Sequence, residues 1–206
     1  MTCIVGVVED GHVILGGDSM GSDGFTKQTR VDPKVFRRGP FVIGFCGSFR
    51  MGQVLRFKLR IPDHPRDMDD YEYMVTAFVD SVRECLMTAG VGKKNEDNTE
   101  EGGTFLVGYK GKLYVIEEDY QVGVVGDDFD CVGAGHEIAK GAMYAQSGQV
   151  SGRRRIRKAL EAAAKFSVSV GPPFNFVSSE DVEPVVKGVK KITPIRKGRT
   201  SKGRSK

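Results

Sequence analysis

The chain opens with the stretch Met1-Thr2-Cys3-Ile4-Val5-Gly6-Val7-Val8-Glu9-Asp10-Gly11-His12-Val13-Ile14-Leu15-Gly16-Gly17-Asp18. Residues 3–8 form an apolar, β-branched run, Asp10-Gly11 is a two-residue hairpin signal, and residues 13–15 form a second apolar run. The chain is therefore expected to begin inside an antiparallel sheet. It lacks the positive charge and small-residue cleavage site of a secretory signal, so the start is expected to belong to the mature protein, except for Met1.

Thr2 becomes the first residue if Met1 is removed, and its hydroxyl and free amine then belong to one residue. An alcohol is a weak nucleophile until a base takes its proton, and an α-amine has a reference pKa of about 7.7 to 8.0. The stretch therefore predicts a nucleophile that carries its own base. Met-Thr alone is a weak motif, and the alternative interpretation is an ordinary second residue in front of a strand.

Further features follow Thr2 at regular distances. Asp18 comes sixteen residues after Thr2, and Lys34 comes sixteen residues after Asp18. Two glycine-containing segments follow, Val42-Ile43-Gly44-Phe45-Cys46-Gly47 and Val132-Gly133-Ala134-Gly135. In this order and spacing, these residues resemble the N-terminal-nucleophile (Ntn) hydrolases of the proteasome β-subunit and HslV type, and HslV more closely than proteasome subunits. The resemblance runs from Thr2 to about Val177.

The resemblance implies a fold, an assembly and a reaction. The fold is α+β, a four-layer αββα sandwich of two antiparallel sheets flanked by helices. The assembly is a homo-oligomeric ring, with an AAA+ ATPase unfoldase as a possible partner. The reaction is threonine-type endopeptidase cleavage of protein or peptide substrates, with no cofactor and no metal.

The resemblance also assigns roles to five residues. Thr2 is the nucleophile, Lys34 is an ammonium that lowers the pKa of the Thr2 amine and stabilises the threonine oxygen, and Asp18 holds Lys34 in place. The N–H of Gly44 is matched to the oxyanion donor, and Gly47 to a glycine packed at the start of the first helix. Taken alone, Asp18 and Lys34 could form a surface ion pair, and Gly44 could be a strand glycine packed against a neighbour.

Two departures from the family pattern keep alternatives open. The family's serine falls on Ala134, and an aspartate of proteasome subunits falls near Val168. One alternative is a catalytically silent assembly or scaffold protein of the same fold, in which the basic tail is the working part. Another is an amidohydrolase of the same fold that acts on a small amide.

Composition indicates one domain in residues 1–186 and a basic tail in residues 187–206. The chain has 31 basic and 27 acidic residues, and nine of the basic residues but no acidic residue lie in the tail, so residues 1–186 carry a formal charge of −5. The tail is expected to be disordered and could bind nucleic acid or an acidic partner surface. Four cysteines without CxxC spacing indicate buried thiols of a cytoplasmic protein, and no apolar run is long enough to cross a membrane.

Hydrophobic periodicity predicts four helices among the strands. They begin at Gly47-Ser48, after Asp69-Asp70, at His136 and at Arg153. Residues 20–24 are expected to form a loop, residues 90–103 a polar connection, and residues 168–170 a short strand. The alternation of strands and helix pairs agrees with the layered fold.

Overall fold

The computed structural model describes residues 2–97, 99–146 and 150–181. The strands are β1 (Ile4–Glu9), β2 (His12–Gly17), β3 (Met20–Ser22), β4 (Lys27–Thr29), β5 (Val35–Arg38), β6 (Phe41–Phe45), β7 (Lys93–Lys94), β8 (Glu100–Glu101), β9 (Phe105–Tyr109), β10 (Lys112–Ile116), β11 (Val122–Val124), β12 (Phe129–Val132) and β13 (Asn175–Ser178). The α-helices are α1 (Phe49–Lys58), α2 (Asp70–Tyr73), α3 (Val79–Thr88), α4 (His136–Tyr144) and α5 (Gly152–Phe166), and a π-helical turn (Met74–Phe78) joins α2 to α3.

Two antiparallel sheets form the centre of the fold. The first sheet has the strand order β12-β1-β2-β13, and the second has the order β11-β10-β9-β6-β5. The opening hairpin is present as predicted, because Asp10 and Gly11 both have positive φ angles, of 50° and 78°, and Glu9 pairs with His12.

Strand β1 is buried on both faces, which explains why its sequence is continuously apolar. Cys3, Val5 and Val7 pack against α4 and α5. Ile4 points the other way, into a cluster shared with the second sheet. The first residues of the chain are therefore held between a helix layer and a sheet.

Helices cover the outer face of each sheet. One apolar cluster joins the second sheet to α1 and α3, and another joins the first sheet to α4 and α5. The layers are thus helix, sheet, sheet, helix, and the predicted α+β, four-layer αββα class is confirmed. Within the described residues, no helix is long and apolar enough to span a membrane.

The structure differs from the local predictions at two segments. Residues 20–24, expected to form a loop, begin the hairpin of β3 and β4, whose mostly polar residues give no alternating apolar signal. Residues 168–170, expected to form a strand, make a turn in which Val168 is 94% exposed and only Val170 is buried. The predicted disordered tail, residues 187–206, lies outside the described residues.

Candidate active site

Thr2 lies immediately before β1 and is only 1% exposed. Its carbonyl oxygen accepts a hydrogen bond from the Gly135 N–H at 3.3 Å. Gly133 has a φ of +95°, and a Cβ atom at this position would lie 2.5 Å from the same oxygen. The glycines of the Gly133-Ala134-Gly135 segment therefore allow the chain to close around the Thr2 carbonyl, which a side chain at Gly133 would obstruct.

Asp18 follows β2 and is fully buried, and its carboxylate connects four parts of the chain. Oδ1 accepts hydrogen bonds from the Cys3 N–H (3.1 Å) and from the Lys34 Nζ (2.8 Å). Oδ2 accepts hydrogen bonds from the Met20 N–H (3.0 Å) and the Gly171 N–H (3.2 Å). The carboxylate therefore fixes the start of β1, the start of β3, the ammonium of Lys34 and the loop that contains Gly171.

Lys34 precedes β5 and is 1% exposed. Its ammonium donates hydrogen bonds to Asp18 Oδ1 and, at 2.7 Å, to the Met20 carbonyl oxygen. A surface ion pair, the alternative considered from the sequence, is wrong for these residues, because both side chains are buried. A buried charge is tolerated only when it is paired and hydrogen-bonded, as this one is.

The structure brings Thr2, Asp18 and Lys34 together. Asp18 Oδ1 receives both the Lys34 ammonium and the N–H of the peptide bond between Thr2 and Cys3. One carboxylate oxygen therefore separates the cation from the Thr2 backbone. The resemblance to the Ntn hydrolases, carried by the spacing of these residues, predicted this arrangement.

The prediction that Gly44 donates its N–H to an oxyanion is wrong. The Cys46 N–H donates to the Thr104 carbonyl at 2.9 Å, so the alternation of the antiparallel ladder puts Gly44 in a hydrogen-bonded pair with Leu106. Its N–H is therefore used inside the second sheet. A Cβ at Gly44 would lie 2.4 Å from Ile4 Cγ2, so this glycine permits close contact between the two sheets.

Gly47, unlike Gly44, lies beyond the hydrogen-bonded ladder of the second sheet. It follows β6 and the last ladder bond at Cys46, is exposed, and has a φ of +99° with open space around the position of a Cβ atom. The expectation that Gly47 serves close packing is therefore wrong. Cys46, its neighbour, has its Sγ 2.9 Å from where a Gly133 Cβ would lie, so Gly47 is close to the segment that encloses Thr2.

Ser19 is a buried polar residue of the site that the sequence analysis missed. Its Oγ accepts a hydrogen bond from Asn175 Nδ2 at 2.7 Å, and its N–H donates to the Gly171 carbonyl at 3.0 Å. These bonds attach β13 and the Gly171 loop to the end of β2. The only available signal in the sequence was its position directly after Asp18.

The cysteine thiols near Thr2 are poor nucleophiles. Burial, and to a smaller extent the nearby Asp18 carboxylate, raises the pKa of the Cys3 thiol to about 12. Burial also raises the pKa of Cys46 and of Cys131 well above the usual range. A thiolate is the reactive form of cysteine, so these residues do not compete with Thr2 as nucleophiles.

Phe49 borders two cavities on the open side of this site. Its ring centroid lies 5.5 Å from Lys34 Nζ. One cavity, of about 320 Å³, is lined by Phe45, Phe49 and other residues of α1, and the other, of about 400 Å³, is lined by Phe49 and the β3–β4 hairpin. Space for side chains of a bound peptide is therefore present on both sides of Phe49.

The two departures from the family pattern are visible in the structure. Ala134 is exposed between the two glycines that contact Thr2, so no hydroxyl is present at this position. Val168 is exposed in its turn. Among residues 2–97, 99–146 and 150–181, no group of three or more His, Cys, Asp or Glu side chains has a metal-binding arrangement.

No family model matches the chain, and no curated protein matches it. Solved structures do match. Thiobacillus denitrificans BPH in complex with epoxomicin superposes with a TM-score of 0.72 at 20% identity, covering 86% of this chain and 97% of that chain. Eukaryotic HslV from Trypanosoma brucei gives 0.61 at 21% identity, covering 86% and 98%, respectively.

A Gly-1 mutant of Anbu from Hyphomicrobium sp. strain MC1 also matches, with a TM-score of 0.60 at 15% identity, covering 85% of this chain and 80% of that chain. These three proteins are proteasome-like Ntn hydrolases. At this level of identity, the likeness concerns the fold. The chain therefore has the Ntn-hydrolase fold, in the form found in HslV and its proteasome-like relatives.

Proposed function

We propose that the protein is a threonine-type endopeptidase in which Thr2, exposed as the N-terminal residue by removal of Met1, is the nucleophile. One observation carries the proposal: Asp18 Oδ1 binds both the Lys34 ammonium and the N–H of the Thr2–Cys3 peptide bond, at 2.8 and 3.1 Å. A buried cation is thereby held beside the residue that would become the N-terminus. A fold that needed only stability would be served as well by apolar residues at these positions.

In the first half of the proposed reaction, the Thr2 Oγ attacks the carbonyl carbon of the scissile peptide bond. The Thr2 amine accepts the hydroxyl proton, and the Lys34 ammonium stabilises the negative charge that develops on Oγ. The C–N bond then breaks, and the proton passes from the Thr2 ammonium to the departing amine. The product is an ester between Thr2 and the N-terminal part of the substrate.

In the second half, water attacks this ester and the Thr2 amine accepts its proton. The C–O bond to Thr2 breaks, the carboxylic acid leaves, and the Thr2 ammonium returns the proton to Oγ, which regenerates the hydroxyl. We assign the oxyanion donor to the N–H of Gly47 in place of Gly44. Gly47 is exposed at the end of its strand, whereas the N–H of Gly44 is engaged in the sheet.

Two observations support a peptide as the substrate. The two cavities that Phe49 borders would accept side chains of an extended chain, and the Phe49 ring centroid lies 5.5 Å from Lys34 Nζ. The solved structure of Thiobacillus denitrificans BPH, which shares this fold, contains epoxomicin. We therefore propose that the site of this chain also binds epoxomicin.

The proposal includes a homo-oligomeric ring in the cytoplasm, with an AAA+ ATPase unfoldase as a possible partner, as the resemblance to HslV implies. Neither Phe49 cavity is a deep, enclosed pocket that would restrict cleavage to a few sequences, so seclusion inside a ring would protect other proteins. Identical subunits that associate head to tail close into such rings.

A catalytically silent scaffold of the same fold is the second candidate, and Ala134 favours it. A serine at this exposed position would give the Thr2 amine or a bridging water one more hydrogen-bond partner. Under this second candidate, the protein has the same fold and the same buried Asp18–Lys34 pair but does not hydrolyse a substrate.

Hydrolysis of a fluorogenic peptide panel, with and without epoxomicin, separates the candidates. The endopeptidase proposal predicts cleavage at internal peptide bonds that epoxomicin inhibits. A matched series of small, non-peptide amides should be cleaved poorly. If protein that starts at Thr2 cleaves neither peptides nor small amides and does not bind epoxomicin, the scaffold remains as the function. Cleavage of the small amides alone would indicate the amidohydrolase.

A further inference from the structure

A groove that Thr2 does not line lies where the two sheets end on the same side of the molecule. Strands β11 and β12 are the edge strands of the second and first sheets, and the groove between them and α4 has a volume of about 780 Å³. Val124 and Tyr144, which line it, are 49% and 76% exposed, respectively. We call this feature the β11–β12 groove.

The β11–β12 groove has an acidic rim. Its lining includes Asp127, Asp130 and Glu137, with Lys140 as the counter-charge. Lys140 pairs with Asp130 at 2.6 Å, so the negative charges of Asp127 and Glu137, both exposed, are left over. An apolar floor with an acidic rim fits an extended segment that carries both apolar and basic residues.

Residues 187–206 of this chain have that composition. Nine of these residues are Lys or Arg and none is acidic. From the residue before the tail onward, an apolar residue recurs at every third position, at Val186, Val189, Ile192 and Ile195, with Lys187, Lys190 and Lys191 between the first three of them. In an extended chain with three residues per turn, these positions share one side, so apolar and basic contacts can be made together.

The path of the chain indicates which copy supplies the tail. At the last described residues, the Ser179 N–H donates to the Val13 carbonyl, and the Arg37 guanidinium donates to the Asp181 carbonyl. The chain therefore leaves the fold beside β13 and β5, the edge opposite the β11–β12 groove. If subunits associate head to tail through these two opposite edges, the exit edge of one faces the groove of the next.

We propose that residues 187–197 of one copy bind in the β11–β12 groove of a neighbouring copy, with Val189, Ile192 and Ile195 over Val124 and Tyr144 and with the basic side chains against Asp127 and Glu137. This contact joins subunits head to tail. This inference rests on the proposed function in one respect, because a neighbouring copy must supply the tail. It does not depend on the threonine chemistry.

Disulfide trapping of the full-length protein tests the contact. The double variant Tyr144→Cys/Val189→Cys is expected to form disulfide-linked dimers and larger oligomers under mild air oxidation. Tyr71→Cys/Val189→Cys is the matched control, because Tyr71 is similarly exposed but lies on α2, and it should stay monomeric on a non-reducing gel. Tyr144→Cys alone measures linkage that does not involve the tail.

The charge complementarity is tested in the same trapping background. Asp127→Lys with Glu137→Lys should lower the dimer yield about tenfold or more, whereas Glu72→Lys with Glu84→Lys, at exposed sites elsewhere, should leave it unchanged. If the reversed charges disturb folding, the neutral variants Asp127→Asn and Glu137→Gln take their place. They should also lower the dimer yield, but by less. Raising the salt concentration should also lower the yield.

Three results would overturn the proposal. A disulfide within monomers would place the tail in the groove of its own chain. Dimers that disappear after nuclease treatment would show that nucleic acid holds the tail. An equal yield of disulfide-linked dimers for the Tyr144 and Tyr71 variants would show that the tail cysteine reacts with any exposed cysteine by random collision.

Discussion

Replacing Lys34 with methionine is expected to lower the free energy of unfolding by about 3 to 5 kcal/mol, because it leaves the Asp18 carboxylate buried without its cation. Lys34 and Asp18 are 1% and 0% exposed, so water cannot take the place of the lost partner. Three backbone N–H groups, those of Cys3, Met20 and Gly171, still donate to the carboxylate and keep the loss within this range. Such a change is a large part of a typical stability of about 5 to 15 kcal/mol.

The double variant Lys34→Met/Asp18→Asn separates the stability of the pair from its chemistry. Its loss of stability should be smaller than the sum of the two single losses, by about 0.5 to 3 kcal/mol, because neither charge is then left alone. Peptide hydrolysis should remain about 10²- to 10³-fold below that of the unmodified protein in the folded double variant, since the ammonium is absent.

Urea denaturation followed by circular dichroism measures the first effect, and hydrolysis by protein shown to be folded measures the second. A loss below about 1 kcal/mol for Lys34→Met would mean that the ion pair is screened by solvent. Full hydrolysis by the folded double variant would refute the electrostatic role of Lys34.

Three further predictions follow from other parts of the site. Burial and the nearby Asp18 carboxylate raise the pKa of Cys3 from its ordinary value of 9.0 to about 12 in the folded protein, so the folded thiol keeps its proton at a pH where the unfolded chain loses it. Its contribution to the free energy of unfolding is therefore complete below pH 9 and falls by about 1.4 kcal/mol per pH unit between pH 9 and 12. Urea denaturation at pH 8 and pH 10 should show a smaller loss of stability for Cys3→Ala than for the unmodified protein. Equal losses would contradict the raised pKa of Cys3. Ala134→Ser should raise kcat for peptide hydrolysis, because the added hydroxyl can bind the Thr2 amine or a water, and an unchanged kcat would show that this position does not act on the amine. Gly44→Ala should lower Tm because its Cβ would lie 2.4 Å from Ile4 Cγ2, and Ile4→Ala should restore part of the loss; a Tm equal to that of the unmodified protein would show that the sheets can separate at this point.

The sequence predicts the layered fold because its local signals agree with one another. The hairpin of β1 and β2 follows from Asp10-Gly11 between two apolar runs, and the buried β1 follows from a run with no polar residue on either face. The β3–β4 hairpin is not predictable in this way, because its polar residues pair at the edge of the molecule without contributing an apolar face.

The site is predictable to the extent that it depends on spacing. The sixteen-residue intervals carry the family resemblance that implies a site of Thr2, Asp18 and Lys34, and the structure brings these residues together beside the start of β1. The roles of Gly44 and Gly47 depend on which N–H groups the sheet uses, and this follows from the pairing register, which the sequence does not contain. The burial of Ser19 likewise depends on Asn175, which is distant in sequence and contacts it only in the folded chain.

The central claim is that the N-terminal Thr2 is the nucleophile, and one measurement tests it most directly. Intact mass spectrometry of the unmodified protein, Thr2→Ala and Thr2→Ser should be combined with peptide hydrolysis by the same preparations. We expect active protein to lack Met1, Thr2→Ser to retain part of the hydrolysis because hydroxyl and amine remain, and Thr2→Ala to have none. Hydrolysis by Thr2→Ala, or by unmodified protein whose mass retains Met1, would contradict the account.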